Sequence, residues 1–421
     1  MSQLFHSVHH RLPRAIAWFV VSTLILALTI PLTRAEPMGP MAPIAPLAPM
    51  TCGPDKAQTS GAIYRICMPA IWNGDLLVYA HGYVAANQPV GIPEDQLHLP
   101  DGTYIPDAAN FLGYAFATTS YSVNGLAIRQ GLPDLVDLVS IFSTQHSKPK
   151  RVILVGVSEG GLITTLATEQ YPAVFNGGLA ACGPIGDFRG QINYMGDFRA
   201  VFDYFFPSLM PGSPVAIPPE KIPADPVADW NGFFNNKIAP ELVKPSSAIS
   251  VTQLLAVTHA PYDPSDPTTT TMHTIERLLW YSMYATNDAV AKLGGQPLDN
   301  MDKVYAGSLD DVALNAGVAR FTAAPAALAA IEAGYQTTGR PQVPLVTSHT
   351  TLDEQVPYWH ENLYRQKVVA NNMTPRHDFM KIERYGHCNF TLPEIVQALQ
   401  LLQTRVTNPQ KWRTSLPLVR H

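Results

Sequence analysis

Short apolar runs alternate with longer amphipathic segments along this chain, a pattern that predicts strands and helices in turn. An apolar run of five or six residues bounded by turn residues has the length of a buried parallel strand, whereas helices need longer segments with a 3.6-residue period. The predicted strands lie at residues 75–80, 152–155, 177–181, 343–347 and 379–385, and the predicted helices of this core lie at 162–170 and 392–402. This alternation predicts an α/β fold with a mostly parallel central sheet flanked by helices.

The run at 152–155 leads directly into a G-x-S-x-G motif formed by Gly156, Ser158 and Gly160. A tight strand-to-helix turn strains the backbone of its central residue, and only small flanking residues let the strand and helix approach closely. Ser158 would then stand exposed at the top of the sheet, where the strand ends. We predict that Ser158 is a nucleophile; the alternative is a Gly-rich turn without chemistry.

Candidate partners for this serine follow two of the later strands. A serine hydroxyl needs a base to take its proton and an acid to orient that base. Asp353 follows the strand at 343–347, and His387 lies between the strand at 379–385 and the terminal helix. Each predicted group comes after a strand, in the order Ser, Asp, His. Glu354 is an alternative acid, and we interpret His273, His349, His360 and His377 as surface or capping residues.

Acyl transfer also requires hydrogen-bond donors for the developing oxyanion. The strand at 75–80 ends in His81, Gly82 and Tyr83, upstream of the elbow. We predict that the backbone N–H groups of Tyr83 and of Glu159, the residue after the nucleophile, form the oxyanion hole.

Four segments of the chain resemble those of secreted α/β-hydrolases of the esterase and lipase superfamily. They are HGY (81–83), GVSEG (156–160), LDEQVP (352–357) and YGHCNF (385–390), and the resemblance extends over residues 51–405 apart from a middle insertion. It implies an α/β-hydrolase fold with Ser158 as nucleophile, Asp353 as acid and His387 as base. The same fold hosts esterases, lipases, peptidases, lyases and inactive adhesion relatives, so the resemblance does not define a substrate.

Residues 186–340 interrupt the strand–helix alternation, and we expect a helical cap there, between core segments 51–185 and 341–421. Helical patterns occur at 194–206, 274–284, 309–317 and 323–333, and prolines mark a loop at 207–226. Several aromatic side chains of this region, together with one histidine, are candidates for the substrate pocket or for the core of the cap. They are His81, Phe205, Trp230, Phe233, Trp280 and Tyr284. This set favours a substrate with an apolar or aromatic group.

Composition agrees with one elaborated exported domain. The chain has 421 residues, of which 46% are hydrophobic and only 14% charged, with 38 prolines. Its formal net charge of −5 and the lack of a basic cluster argue against a nucleic-acid partner.

We interpret residues 1–35 as a signal peptide, with an uncleaved membrane anchor as the alternative. Prolines recur every third residue in 36–50, which predicts a polyproline linker or, alternatively, a docking motif.

Four cysteines in an exported chain indicate disulfides, for which three pairings are possible. Cys52 and Cys67 flank a predicted N-terminal hairpin, and pairing them leaves Cys182 for Cys388, beside His387. A catalytic cysteine is the rival interpretation, although no base is placed for one.

The sequence therefore predicts a secreted serine hydrolase that cleaves a small or polymeric carboxylic ester, with neither metal nor organic cofactor and no membrane span after signal cleavage. The alternatives are a serine peptidase of the same fold, a lyase, or an inactive binding relative.

Overall fold

Nine strands form a single sheet in the structure of this chain, a computed structural model that describes residues 51–408. The predicted signal peptide and proline-rich linker lie outside the described residues. The strands are β1 (Thr51–Cys52), β2 (Lys56–Ala57), β3 (Ile63–Met68), β4 (Asp75–Ala80), β5 (Ala115–Thr119), β6 (Arg151–Val157), β7 (Gly177–Ala181), β8 (Leu345–Leu352) and β9 (His377–Tyr385). Their order is β1-β3-β5-β4-β6-β7-β8-β9, with β2 beside β3. Strands β5, β4, β6, β7, β8 and β9, in that order in the sheet, pair in parallel. Strands β1 and β2 pair antiparallel with β3, and β3 pairs antiparallel with β5.

Both faces of the sheet are buried, as the continuous apolar strands predict. Along β4, Leu76 and Val78 belong to one apolar cluster, and Leu77 and Tyr79 belong to another, because successive side chains point to opposite faces. Helices α2 (Ile128–Gln145) and α3 (Glu159–Gln170) cover the first face, and α1 (Ile105–Phe111) and α12 (Leu392–Thr407) cover the second.

The chain between β7 and β8 is mainly helical and has an apolar core of its own. We call residues 188–334 the helical insertion. Its helices are α4 (Phe188–Phe205), α5 (Ala228–Phe233), α6 (Ala239–Leu242), α7 (Ala248–Thr258), α8 (Pro267–Leu293), α9 (Asp311–Gly317) and α10 (Pro325–Gly334), and α11 (Trp359–Ala370) follows β8. Single-turn helices occur at Glu94–Leu97, Pro219–Lys221, Pro245–Ser247 and Thr374–Arg376, and a π-helix at Phe234–Ile238. The sequence did not predict α5 to α7, because Pro240 and Pro245 divide that stretch into pieces too short for a clear period.

Strand β8 is longer than predicted. It continues through the polar residues Ser348, His349 and Thr350, which are buried and pair with β9. This extension places Asp353 directly after the strand end.

A mostly parallel sheet in this order, covered by helices on both faces and with a strand-turn-helix junction at Ser158, is the α/β-hydrolase fold. The predicted fold class is confirmed. Within residues 51–408, the structure contains no helix that combines the length and hydropathy needed to cross a bilayer.

Candidate active site

The turn between β6 and α3 has the strained geometry of a nucleophile elbow. Ser158 has φ 56° and ψ −121°, a conformation that costs a non-glycine residue about 1–3 kcal/mol. A Cβ atom on Gly156 would lie 2.0 Å from the carbonyl oxygen of Gly160, and one on Gly160 would lie 2.0 Å from that of Ala80. Glycine is therefore required at both positions for the strand and helix to approach this closely.

His387 lies in hydrogen-bond contact with both Ser158 and Asp353. The Nε2 atom of His387 is 2.8 Å from the Oγ atom of Ser158. Its Nδ1 atom is 2.8 Å from Oδ2 and 3.0 Å from Oδ1 of Asp353. The structure thus brings together, from three separate strand ends, the three side chains that the sequence selected.

Asp353 is held as a carboxylate by its surroundings. Its Oδ1 atom accepts hydrogen bonds from the backbone N–H groups of Gln355 (3.0 Å) and Val356 (2.8 Å). Burial favours the neutral form, but His387 and a second imidazole, His349, outweigh burial and hold the pKa of the Asp353 carboxyl well below its usual range. Asp353 is therefore ionised at neutral pH.

Glu354, the alternative acid, points elsewhere. Its Oε1 atom accepts a hydrogen bond from the side chain of Gln355 at 2.9 Å, and burial raises the pKa of its carboxyl. Within the described residues the carboxylate that contacts His387 belongs to Asp353.

The expectation that the remaining histidines are surface or capping residues is wrong for His349 and His377, which are buried in β8 and β9. His360 is also buried, and its Nδ1 atom accepts the backbone N–H groups of Gly186 and Asp187 at the start of α4. His349 lies within the extended part of β8, and its Nε2 atom is 2.7 Å from the carbonyl oxygen of Val356 and 3.4 Å from Oδ2 of Asp353. The sequence did not reveal this neighbour of Asp353, since the polar run around it does not have the pattern of a buried strand. His273 is exposed.

The loop after β4 runs close to Ser158. A Cβ atom on Gly82 would lie 3.1 Å from the Cβ atom of Ser158. Gln96 fixes this loop at two points: its Oε1 atom accepts the N–H of Gly82 at 2.8 Å, and its Nε2 atom donates to the carbonyl oxygen of Tyr83 at 3.0 Å. No sequence motif indicated Gln96. Neither predicted oxyanion donor, the N–H of Tyr83 or of Glu159, has an acceptor among the described residues.

Helix α8 of the helical insertion packs against the same loop. The Tyr83 hydroxyl donates to the carbonyl oxygen of Tyr284 at 3.3 Å. The Tyr83 ring lies 5.5 Å from the Tyr281 ring and 6.0 Å from the Trp280 ring, measured between centroids. The insertion therefore helps to position a predicted oxyanion donor.

Two openings of different size meet at Ser158. A narrow, mainly apolar cavity of about 80 Å³ and a wide cleft of about 860 Å³ both include Ser158, Tyr83 and Tyr281 in their walls. We call them the narrow cavity and the wide cleft.

The predicted pocket residues lie away from these two openings. His81 is buried, stacks on Tyr121 with 4.0 Å between ring centroids, and has its imidazole pKa lowered to about 4 by burial. Phe205, Phe233 and Tyr284 pack in the apolar core of the insertion, and Trp230 and Trp280 line an adjacent groove. Tyr281 faces Ser158 in place of Trp280, because neighbouring helical residues point about 100° apart.

Both disulfides join the cysteines as the sequence predicted. Cys52 pairs with Cys67 across β1 and β3, and Cys182, just after β7, pairs with Cys388 in the loop that carries His387. Cys182, Cys388 and His387 place ligand atoms within 4.8 Å of one another. The two cysteine sulfurs are bonded to each other, and the His387 imidazole contacts Ser158. These atoms therefore do not form a metal-binding site.

Glu159 carries a buried carboxyl group with one unsatisfied oxygen. Its Oε1 atom accepts the N–H of Ala127 at 2.6 Å, and its Oε2 atom has no partner within the described residues. Burial raises the pKa of this carboxyl from 4.5 to about 8. The group is thus mostly protonated at neutral pH.

Glu159→Gln is expected to change how stability depends on pH. With a raised folded-state pKa, the wild-type carboxyl stabilises the fold fully below pH 4.5, and this contribution is lost as pH rises to about 8. The variant, which does not titrate, should lie within about 1 kcal/mol of the wild type at pH 5 and exceed it by up to about 5 kcal/mol above pH 8. Urea unfolding at pH 5, 7 and 9 measures the difference. Glu332→Gln, on an exposed position of α10, is the control; parallel pH curves for wild type and Glu159→Gln would contradict the prediction.

Comparison with known proteins gives distant similarities. No protein-family profile matches the chain. A stretch of 84 residues is 29% identical to an o-phthalyl amidase from Xanthobacter agilis, covering 20% of this chain and 18% of the amidase. Feruloyl esterase B from Aspergillus oryzae has a TM-score of 0.43 at 14% identity, over 84% of this chain and 80% of the esterase. Candida antarctica lipase A in its closed state has a TM-score of 0.40 at 14% identity, over 87% of this chain and 77% of the lipase.

Pyrococcus horikoshii acylaminoacyl peptidase has a TM-score of 0.39 at 10% identity, over 86% of this chain and 42% of the peptidase. The chain thus spans about two fifths of the peptidase and matches less than a fifth of the amidase. Similarities at this level do not define an activity or a substrate.

Proposed function

We propose that this chain is a serine hydrolase that cleaves carboxylic esters through a covalent acyl-enzyme on Ser158. The observation that carries the proposal is the contact of 2.8 Å between Ser158 Oγ and His387 Nε2, with Asp353 on the opposite nitrogen of the imidazole.

In the first half-reaction, His387 Nε2 takes the hydroxyl proton while Ser158 Oγ attacks the ester carbonyl carbon. The carbonyl oxygen becomes an oxyanion and accepts hydrogen bonds from the N–H groups of Tyr83 and Glu159. The intermediate then collapses, the bond to the leaving oxygen breaks, and His387 returns its proton to that oxygen. An alcohol departs and the acyl group remains on Ser158.

In the second half-reaction, water takes the place of the alcohol. His387 accepts a proton from the water as it attacks the acyl carbon, and the proton passes to Ser158 Oγ when the carboxylic acid leaves. Asp353 accepts the Nδ1–H of His387 throughout. It thereby keeps the Nε2 lone pair directed at Ser158 and stabilises the imidazolium that forms.

We further propose that the helical insertion, within residues 186–340, is a cap on the core formed by 51–185 and 341–421. Ile192 and Met195 of α4 and Tyr281 of α8 line the narrow cavity, which supports this role. The two disulfides support an extracytoplasmic location, since such bridges persist in oxidising compartments. Export through residues 1–35 as a signal peptide, and secretion, belong to the same proposal.

Labelling and a substrate panel test the activity on the purified chain. A fluorophosphonate probe should modify one serine, and tryptic mapping should place the adduct on the peptide that contains Ser158. p-Nitrophenyl esters should be hydrolysed while peptide p-nitroanilides are not. Cleavage of anilides at a comparable kcat/KM would replace the ester assignment by a peptidase or amidase one. A chain that is neither labelled nor active on any substrate would refute the proposal.

A further inference from the structure

The two openings at Ser158 differ in which catalytic group lines them. His387 lies in the wall of the wide cleft and not in that of the narrow cavity. Glu159, whose N–H is a proposed oxyanion donor, lines the narrow cavity and not the wide cleft. Ser158 belongs to both, so a substrate bonded to its Oγ atom has access to either opening.

This asymmetry assigns the two halves of an ester to the two openings. His387 must deliver a proton from Nε2 to the leaving oxygen, and proton transfer requires that oxygen within hydrogen-bond distance. The leaving alcohol therefore extends along the side that His387 lines, the wide cleft. The acyl group, which stays on Ser158, then enters the narrow cavity, the other opening that Ser158 lines.

The narrow cavity fits a small apolar group. Its volume is about 80 Å³, about a tenth of the 860 Å³ of the wide cleft. Leu126, Ile128, Ile192, Met195 and Val356 are among its walls, and they offer an acyl chain apolar contact. Closely packed apolar walls reject extra methylene groups because neighbouring side chains have little room to move.

The wide cleft fits a large group that carries polar substituents, because its wall combines apolar with polar side chains. Asp95, His98, His273, Arg277 and Asn389 contribute polar side chains to its wall. A second groove of about 730 Å³ adjoins it and shares Asp95, Gln96 and Arg277 with it. Each volume lies in the range of sites that bind drug-sized molecules.

We propose that the substrates are esters of a short apolar acid with a large, polar alcohol, such as an acylated oligosaccharide or polyol. The enzyme is then a deacylase that removes a small acyl group from a bulky polar carrier. This inference rests on the proposed function and specifies its substrate class.

Another cavity shares part of its wall with the narrow cavity and provides a test of this inference. A space of about 70 Å³ lies between α4 and α8, and Ile192, Met195, Tyr281, Ala285 and Ala289 line both this space and the narrow cavity. Shortening a side chain in this shared wall should join the two spaces and lengthen the acyl site.

The experiment measures kcat/KM for two substrate series on the wild-type chain. In p-nitrophenyl esters from acetyl to decanoyl, the value should fall at least tenfold between butanoyl and octanoyl. In acetate esters of ethanol, glucose and maltotriose, it should rise with the size of the alcohol. Met195→Ala should raise the octanoyl-to-acetyl ratio by about tenfold, since each methylene newly accommodated contributes roughly fourfold.

Met301→Ala removes an exposed methionine of the same insertion and is the matched control, expected to leave both profiles unchanged. Ala285→Leu should fill the shared wall and remove activity on butanoyl esters while acetyl esters are still cleaved. This variant keeps the inference testable if Met195→Ala does not fold. The inference would be overturned if Met195→Ala and Ala285→Leu, or whichever of the two folds, kept the wild-type acyl profile. A wild-type preference for long acyl chains on small alcohols would overturn it as well.

Failure of this inference can be distinguished from failure of the proposed function. A chain that the fluorophosphonate labels at Ser158 but that shows the reverse size preference keeps its function and loses the substrate class. A chain with neither labelling nor turnover loses both.

Discussion

Ser158→Ala is expected to lower kcat/KM for any ester substrate by at least about 10⁴-fold and to abolish fluorophosphonate labelling. The substitution removes the oxygen atom that forms the acyl bond in the proposed mechanism. Binding should change little, because alanine preserves the packing of the elbow. Pre-steady-state kinetics with a p-nitrophenyl ester should show no burst of product.

The control for this variant is Ser208→Ala. Ser208 also has a positive φ, 62°, and lies on an exposed turn, so the control makes the same substitution at another residue with positive φ. Circular dichroism spectra of both variants should match the wild type. Labelling or burst kinetics that survive Ser158→Ala would move the nucleophile to another residue.

Asp353→Asn is expected to lower kcat by about 10⁴-fold, whereas Glu354→Gln should cost less than tenfold. An amide at position 353 can donate a hydrogen bond to His387 Nδ1, which would favour the tautomer that carries its proton on Nε2. That tautomer cannot accept the proton of Ser158. Glu354 makes its hydrogen bond to Gln355 instead, so replacing its carboxyl leaves the imidazole unchanged.

Measurements of kcat across pH 5 to 9 distinguish the two variants. Across this range the kcat of Asp353→Asn should stay far below that of the wild type, and the kcat of Glu354→Gln should stay within tenfold of it. If Glu354→Gln instead causes the larger loss, the acid role moves to Glu354.

The sequence predicted the features of the site that local patterns encode. Gly156 and Gly160 are visible as a motif because close packing of β6 on α3 excludes any side chain there. Asp353 and His387 were selected because each follows a predicted strand, and a parallel sheet brings such strand ends together. The pairing of Cys52 with Cys67 followed from a predicted hairpin, and that of Cys182 with Cys388 from their placement at strand ends.

Features that depend on packing between distant segments were not predicted. His349 looks exposed in the sequence because Ser348, Thr350 and Thr351 surround it, and only the sheet buries it. Which face of α8 meets Ser158 depends on how α8 lies against the loop after β4. The sequence favoured Trp280 as a pocket residue, but its neighbour Tyr281, which points about 100° away around the helix axis, lines the narrow cavity and the wide cleft.

The Cys182–Cys388 bridge makes completion of the site a late event in biosynthesis. Cys182 emerges from the ribosome 206 residues before its partner, and the histidine loop is among the last parts of the described fold to be made. Cys52 and Cys67, only 15 residues apart, can close first at a small entropic cost and thereby leave Cys182 unpaired. A newly made chain should therefore hold its serine in place before its base is tethered, and full activity should arise only after the C-terminal strand has folded in an oxidising compartment.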